Sequence, residues 1–248
     1  MTRKMIKTFH GLFALMVLGV ASLFLYSCAN DNAPNQPELP TSEETGIGEI
    51  HNDVLADILV KLQNTSTRSD KLSVEEFRVL CINQASESVS QKVSGLSYAS
   101  AREQIEETNS VSLEQIKEVI TVEQNKVLNE VKEMLRKGLS LDEISNYVSS
   151  TNLTLKEKEA TLAFADIHIS SETYWKANGK QWVDYINEHV QKSEGFLGLN
   201  FDRVNWTQVV FADAYYGWFF TVSTGGNLLV GGGAAGVASG LTVLAEAS

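Results

Sequence analysis

Residues Ser112–Gly138 read SLEQIKEVITVEQNKVLNEVKEMLRKG, and this stretch decides the fold class. Ser112 and Gln115 form a capping box, in which the hydroxyl accepts a free backbone N–H of the first turn and the glutamine side chain reaches back. Behind this cap, apolar residues recur at the spacing of one helix face: Leu113, Ile116, Ile120, Val127, Val131 and Leu135. We therefore predict one amphipathic helix that begins at residue 113 and ends at Gly138.

Three more capping boxes indicate helix starts elsewhere in the chain. They are Ser73-Val74-Glu75-Glu76, Ser140-Leu141-Asp142-Glu143 and Thr154-Leu155-Lys156-Glu157. The apolar spacing also predicts a helix from Glu49 onward, and a helix from Leu155 that runs towards Trp175 and is broken at Gly179. No proline follows Pro40, and no sustained alternation of apolar and polar residues occurs. We predict an all-α fold, with an acidic multi-helix bundle over residues 49–204.

The N-terminus has the pattern of a secretory signal peptide. Three basic residues within the first seven positions precede an uncharged apolar run, which ends at Leu25-Tyr26-Ser27-Cys28. The cysteine at the cut resembles the bacterial lipobox, whose thiol becomes acylated. We predict a lipoprotein signal peptide over residues 1–27 and lipidation at Cys28. The alternative is an uncleaved membrane anchor, because the apolar run approaches the roughly 17–25 residues that a spanning helix needs.

Lipidation at Cys28 would attach the protein to membrane lipid in the cell envelope, since two or more acyl chains give stable anchoring. Ala29 follows the modified cysteine, and by the sorting rule of lipoproteins this favours the outer membrane; the face of that membrane stays open. All three prolines fall between Pro34 and Pro40 among Asn, Gln, Glu, Thr and Ser. This composition is typical of linkers, so residues 28–48 are predicted to be a disordered tether.

The charge of the chain argues against one class of partner. Twenty basic and 31 acidic residues give a net charge of −11, and removing the three cations of the signal peptide gives −14. Because affinity for nucleic acid comes mostly from Lys and Arg, we expect no nucleic-acid partner. Two cysteines cannot form a disulfide scaffold, and Cys81 lies in an apolar stretch, where we expect a buried thiol.

Residues 205–248 differ in composition from the rest of the chain. Beyond Arg203 only Asp213 and Glu246 carry charge. The first half, up to Val222, is rich in aromatic residues and has Asn205 as a plausible cap. Residues 224–227 have the composition of a turn, and the second half, from residue 228 to 245, is small and apolar. We predict a hydrophobic hairpin of two helices.

Glycines recur in the second half of this hairpin at every fourth position. Gly232, Gly236 and Gly240 would form a flat face against which another helix backbone can pack closely. Three arrangements of the hairpin stay open: the buried centre of the helical domain, conditional membrane insertion or oligomerisation, and a disordered tail. A protein partner or self-association through the hairpin is therefore a further expectation.

Candidate catalytic and metal-binding motifs are weak. Gly231–Gly236 matches a dinucleotide fingerprint formally, but too few residues follow it to build the second strand and the acidic residue of that site. His51, His168 and His189 show no pair at the spacing of a zinc protease site. We therefore predict no catalytic residue, no metal and no cofactor, while an enzyme stays a third option.

Short motifs in three parts of the chain carry a resemblance. The motifs are Gly48-Glu49-Ile50-His51-Asn52-Asp53-Val54-Leu55, Ser171-Glu172-Thr173-Tyr174-Trp175 and Asp213-Ala214-Tyr215-Tyr216-Gly217. The glycine repeat follows the last of them. This set resembles a family of Bacteroidota lipoproteins whose function is not characterised, and the tail is similar to bacteriocin-like double-helix peptides. The resemblance implies a lipid-anchored protein and brings no catalytic assignment. From the residues themselves, His51 and Asn52 are expected to cap or pack a helix start, and Tyr174, Trp175 and Trp182 to anchor the core.

Two functional hypotheses follow from these observations. The leading one is a lipid-anchored envelope protein that acts by interaction, without catalysis. The alternative is a membrane-active, bacteriocin-like or pore-forming protein that acts through its C-terminal hairpin.

Overall fold

The computed structural model describes residues 46–65, 71–191, 200–224 and 228–245. Within these ranges the chain forms nine α-helices and one short 3-10 helix, and its only strand-like pairing is an isolated bridge between Leu72 and Val190. The prediction of an all-α multi-helix bundle is confirmed. The helices are α1 (Ile47–Thr65), α2 (Val74–Lys92), α3 (Tyr98–Thr108), α4 (Leu113–Val119), α5 (Val122–Arg136), α6 (Leu141–Ser149), α7 (Leu155–His189), α8 (Trp206–Thr224) and α9 (Leu228–Ala245), with the 3-10 turn at Phe201–Arg203.

Helix α9 lies at the centre of the bundle. It contacts α1, α2, α3, α7 and α8, and every residue from 230 to 240 is buried. A helix that is apolar on all sides needs such an environment, because no face of it is stable in water. The structure thus places the C-terminal hairpin inside the helical domain.

The two larger apolar cores share helix α8. The larger one contains Leu55 of α1, Phe77 of α2 and Trp182 of α7, and α8 adds Phe220 to it. The second is built mainly from α5, α6 and α7, and α8 adds Trp218 to it. The aromatic half of the hairpin therefore joins the two cores, and the expected anchors Tyr174, Trp175 and Trp182 are buried.

The four predicted capping boxes are formed, at Ser73, Ser112, Ser140 and Thr154. Asn205 also acts as predicted, since its Oδ1 accepts the backbone N–H of Gln208 at 3.1 Å. These signals are local: each depends on two side chains within four residues, so they could be found without the tertiary structure.

The prediction of one helix from residue 113 to Gly138 is wrong in one respect. The chain leaves the helix at Ile120, whose ψ of 123° is extended, and α5 begins after Thr121. Thr121 and Gln124 form a fifth capping box, with Gln124 Oε1 accepting the N–H of Thr121 at 2.8 Å. This local cap interrupts an apolar repeat that would otherwise continue. The C-terminal end is as expected, because Gly138 has a φ of +73°.

The prediction that Gly179 breaks its helix is also wrong. Helix α7 continues through Gly179 to His189. A Cβ at position 179 would lie 2.8 Å from Cη2 of Trp206 and 3.1 Å from Cε2 of Phe201. The glycine is needed because two aromatic rings pack directly on the backbone of α7, and not because the helix ends there.

Candidate functional site

Four helices bring polar side chains together in the centre of the bundle. Oδ2 of Asp213 on α8 accepts hydrogen bonds from Ser171 Oγ at 2.5 Å and from Trp175 Nε1 at 3.2 Å, both on α7. Nε2 of His51 on α1 lies 3.4 Å from the same carboxylate oxygen and 3.2 Å from Ser239 Oγ on α9. We call these five residues the polar cluster.

The imidazole of His51 is oriented by its neighbour in sequence. Asn52 Nδ2 donates to the backbone oxygen of Ser170 at 3.1 Å, which fixes the amide so that Oδ1 faces His51 Nδ1 at 3.0 Å. Because an amide oxygen only accepts, Nδ1 carries a proton. Nε2, the other ring nitrogen, faces Ser239 Oγ and Asp213 Oδ2.

The polar cluster is closed to solvent. The side chains of His51, Ser171, Asp213 and Ser239 have no exposed surface, and Trp175 is 2 % exposed. Ser239, His51 and Asn52 follow the order of a nucleophile, a base and an orienting group, but a substrate carbonyl cannot reach Ser239 Oγ in this arrangement. In the folded state the cluster gives the buried Asp213 carboxylate two hydrogen-bond donors and brings α1, α7, α8 and α9 into polar contact.

Two glycines of α9, Gly232 and Gly236, form a surface on which α1 packs. A Cβ on Gly232 would lie 2.7 Å from the backbone oxygen of Ile47, and one on Gly236 would lie 3.1 Å from Cγ1 of Val54. Gly240 faces the ring of Trp182, where a Cβ would lie 3.1 Å from Cζ3. This close approach of the two helices lets Ser239 reach His51.

A second carboxylate lies beside the N-terminus of α1. Asp166 Oδ2 on α7 accepts the backbone N–H of Gly48 at 2.9 Å. Burial raises the pKa of the Asp166 carboxyl, and the Gly48 N–H and the nearby His51 act in the opposite direction. A Cβ on Gly48 would lie 2.7 Å from the backbone oxygen of Asp166, so only glycine permits this contact.

The other candidate residues from the sequence lie apart. His168 packs against Phe211, with ring centroids 4.5 Å apart. Nε2 of His189 lies 3.5 Å from Oε2 of Glu188. Cys81 is fully buried, and burial raises the pKa of its thiol. Among the residues that the structure describes, no three His, Cys, Asp or Glu side chains are grouped so that they could hold a metal ion. Cys28 lies outside the described residues.

A groove runs along the outer side of α2. Its volume is about 570 Å³. The lining comes mainly from α2, and α1 and α3 contribute one residue each, Lys61 and Tyr98. The lining residues are Lys61, Leu72, Glu75, Glu76, Val79, Leu80, Asn83, Gln84, Glu87 and Tyr98. We call this surface the α2 groove.

Sequence reasoning did not identify Asp213 as the partner of His51. One signal could have found it, because Asp213 is the only charged residue between Arg203 and Glu246. A single charge in a long apolar segment must be compensated when that segment is buried. The partner itself could not be read from the sequence, since α1 and α8 lie far apart along the chain.

The three motifs that suggested a lipoprotein family meet in space. His51, Ser171, Trp175 and Asp213 all belong to the polar cluster. Comparisons of the chain with protein-family models, with curated proteins and with solved structures found no match. The family resemblance therefore stays a prediction. Among the described helices, none combines the length and the apolar character needed to span a bilayer.

Proposed function

We propose that the protein is a lipid-anchored component of the cell envelope that binds another protein and does not act as a catalyst. The observation that supports this best is the contrast between two sites. The polar cluster is enclosed, whereas the α2 groove is open and has apolar side chains at its surface. Val79 and Tyr98 are the exposed apolar side chains of this groove that a protein partner would cover.

Support for the anchor comes from the sequence. The basic start, the apolar run and Cys28 together favour export and acylation. The test is mass spectrometry of the N-terminal peptide from the native envelope. An acylated Cys28 at the new N-terminus is the expected result, and Cys28→Ala should release the protein from the membrane fraction. An intact leader on protein from the cell interior would contradict the proposal.

Binding through the α2 groove can be tested in intact cells with the full chain. A photo-crosslinking amino acid at Gln84, which lines the groove, should give one discrete adduct with another envelope protein. The same amino acid at Lys126, an exposed position on α5, is the matched control and should give none. Adducts of equal yield at both positions, or none at either, would count against a protein-binding role for the groove.

A second candidate function is membrane activity of the α8–α9 hairpin. The specific observation in its favour is that the hairpin carries one charged side chain, Asp213, which is buried and lies 3.4 Å from Nε2 of His51 on α1 through its Oδ2. Loss of that contact would favour release of the hairpin from the bundle. Dye release from liposomes should then rise in His51→Ala relative to the wild type. Absence of dye release with both proteins would remove this candidate.

A further inference from the structure

Helix α1 differs from the helices that follow it in how its N-terminus is capped. Helices α2 to α7 each begin at a serine or threonine whose side chain accepts a backbone N–H three residues further on. These caps are Ser73, Ser97, Ser112, Thr121, Ser140 and Thr154. Helix α1 begins after Gly46, which has no side chain that could accept a hydrogen bond. The first N–H groups of α1 therefore need an acceptor from another part of the chain.

Asp166 of α7 is that acceptor. Its Oδ2 accepts the N–H of Gly48 at 2.9 Å, across 118 positions of sequence. The N–H of Ile47 also bonds to this carboxylate. One turn further along both helices, Asn52 Nδ2 donates to the backbone oxygen of Ser170 at 3.1 Å. We call residues 47–52 the α1 start, and these bonds dock it on α7.

The α1 start also closes the polar cluster, because it contains His51. Nε2 of His51 lies 3.2 Å from Ser239 Oγ on α9 and 3.4 Å from Asp213 Oδ2 on α8. The backbone oxygen of Ile47 packs against Gly232, which lies two turns before Ser239 on the same face of α9. Undocking of the α1 start would therefore open the polar cluster to water.

Opposing effects act on the Asp166 carboxyl in the docked state. Burial favours its neutral form and is the largest of them. The two N–H groups of α1 and the nearby His51 favour the charged form, whereas Glu49 favours the neutral one. On balance the pKa of Asp166 is raised above its ordinary value of 3.8. Of the other two helices at this place, α8 contributes Asp213, which lies beyond His51, and α9 has no titratable side chain.

From the cap and its surroundings, we propose that docking of the α1 start on α7 is a pH-sensitive switch. Asp166 binds a proton while the α1 start is docked and releases it to solvent when the α1 start leaves α7. Docking is therefore firmer in acid, and the α1 start opens more often towards neutral pH. The switch acts whether or not the α2 groove binds a protein, so it goes beyond the proposed function.

The sign follows from proton linkage. A carboxyl whose pKa is higher in the docked state than in water stabilises docking when it is protonated. This stabilisation is complete below pH 3.8, and it is lost as the pH rises through the raised pKa of Asp166.

Hydrogen exchange of the full-length protein in phosphatidylcholine nanodiscs tests the switch. Exchange of the α1 start is followed by mass spectrometry at pH 4.5, 5.5, 6.5 and 7.5, and is corrected for the intrinsic pH dependence of amide exchange. In the wild type, protection of the α1 start should fall by about threefold or more over this range. In Asp166→Asn it should change by less than about twofold, because the amide oxygen still accepts N–H bonds but does not titrate.

Two controls separate the switch from a general effect of pH. Asp184→Asn removes an exposed carboxylate from the same helix and should keep the wild-type pH dependence. The amides of α5 should change less with pH than those of the α1 start. Equal pH dependence in the wild type and Asp166→Asn would overturn the proposal, as would protection of the α1 start that rises with pH. An equal change in α5 would assign the proton to unfolding of the whole bundle and would also overturn it.

A second variant provides a test that does not require Asp166→Asn to fold. Glu49 is exposed, and its charge raises the pKa of Asp166. Glu49→Gln should therefore leave the fold intact and move the loss of protection to lower pH. An unchanged pH midpoint in Glu49→Gln would show that Asp166 is not the group that controls docking.

Discussion

His51 Nε2 lies 3.4 Å from Asp213 Oδ2, and neither side chain has any exposed surface. Asp213 is the only charged residue of the α8–α9 hairpin, and His51 belongs to the first helix of the bundle. The carboxylate of the hairpin therefore contacts side chains of other helices and not water. Removing one member of this buried contact is costly, because a polar atom of the other loses its partner where water cannot replace it.

We expect His51→Ala to lower the free energy of unfolding by about 1–3 kcal/mol, because Ser239 and Asp213 each lose a buried polar contact. Asp213→Ala should also destabilise the fold, and the double variant should lose about 1–3 kcal/mol less than the sum of the two single losses. Urea denaturation followed by far-UV circular dichroism measures all three variants. The matched control is the exposed ion pair between Lys180 Nζ and Asp184 Oδ2, which are 2.6 Å apart. The coupling free energy of that pair in a double-mutant cycle should be about 0.3–0.5 kcal/mol. If the losses of unfolding free energy in the two single variants simply add in the double variant, the contact between His51 and Asp213 does not stabilise the fold.

The glycine repeat gives a second prediction. Gly232→Ala should lower the free energy of unfolding by about 1–3 kcal/mol, because the added Cβ would lie 2.7 Å from the backbone oxygen of Ile47. This loss is expected even though alanine has a better helix propensity than glycine. At Gly236 the nearest atom is a methyl group of Val54 at 3.1 Å, which can move more easily than backbone. Gly236→Ala should therefore cost less than Gly232→Ala. Thermal unfolding of both variants measures the difference, and the reverse order would contradict close packing of α9 on α1.

The fold class could be predicted because its signals are local. Ser73, Ser112, Ser140 and Thr154 each bond a side chain three residues away, so the sequence window contains both partners. The role of Gly179 could not be predicted, since it depends on the ring of Trp206, which reaches α7 only in the folded chain. A glycine that permits close packing and a glycine that ends a helix have the same appearance in the sequence.

Only part of the polar cluster could be predicted from the sequence. His51 and Asn52 were expected to cap or pack the start of a helix, and they do lie at the start of α1. Ser239, which contacts His51, is 188 positions away along the chain, and no periodic pattern connects the two. The α2 groove was also not predicted, because its exposed valine, Val79, lies in the same apolar stretch as Phe77 and Cys81 of the core.

The break between α4 and α5 gives a third prediction. Gln124 is 6 % exposed; its Oε1 accepts the N–H of Thr121, and its Nε2 donates to Glu157 Oε1 at 2.7 Å. Thr121→Ala should lower the free energy of unfolding by about 0.5–2 kcal/mol through loss of the N-cap. Gln124→Ala should cost more, because it also removes the bond to α7. Val122→Ala, at a position 89 % exposed, should stay within about 0.5 kcal/mol of the wild type. Equal stability of all three variants in urea denaturation would mean that the cap does not stabilise α5.

The pH dependence of stability gives the last prediction, through His168. This residue is 8 % exposed, and its Nδ1 has no hydrogen-bond partner among the described residues. Burial lowers the pKa of His168 below its ordinary value of 6.5. The unfolded chain therefore binds a proton at this site more readily than the folded chain. The resulting loss of stability is absent well above pH 6.5 and grows as the pH falls below it.

Urea denaturation at pH 7.5, 6.5 and 5.5 should show this loss in the wild type, with a contribution from His168 of at most about 1.4 kcal/mol per pH unit. His168→Gln should reduce the slope, because glutamine does not titrate. Asp166 acts with the opposite sign, since its raised pKa makes the folded state hold a proton more tightly. That contribution is common to both proteins and cancels in their difference. Parallel stability curves for the wild type and His168→Gln would show that burial of His168 does not oppose its protonation.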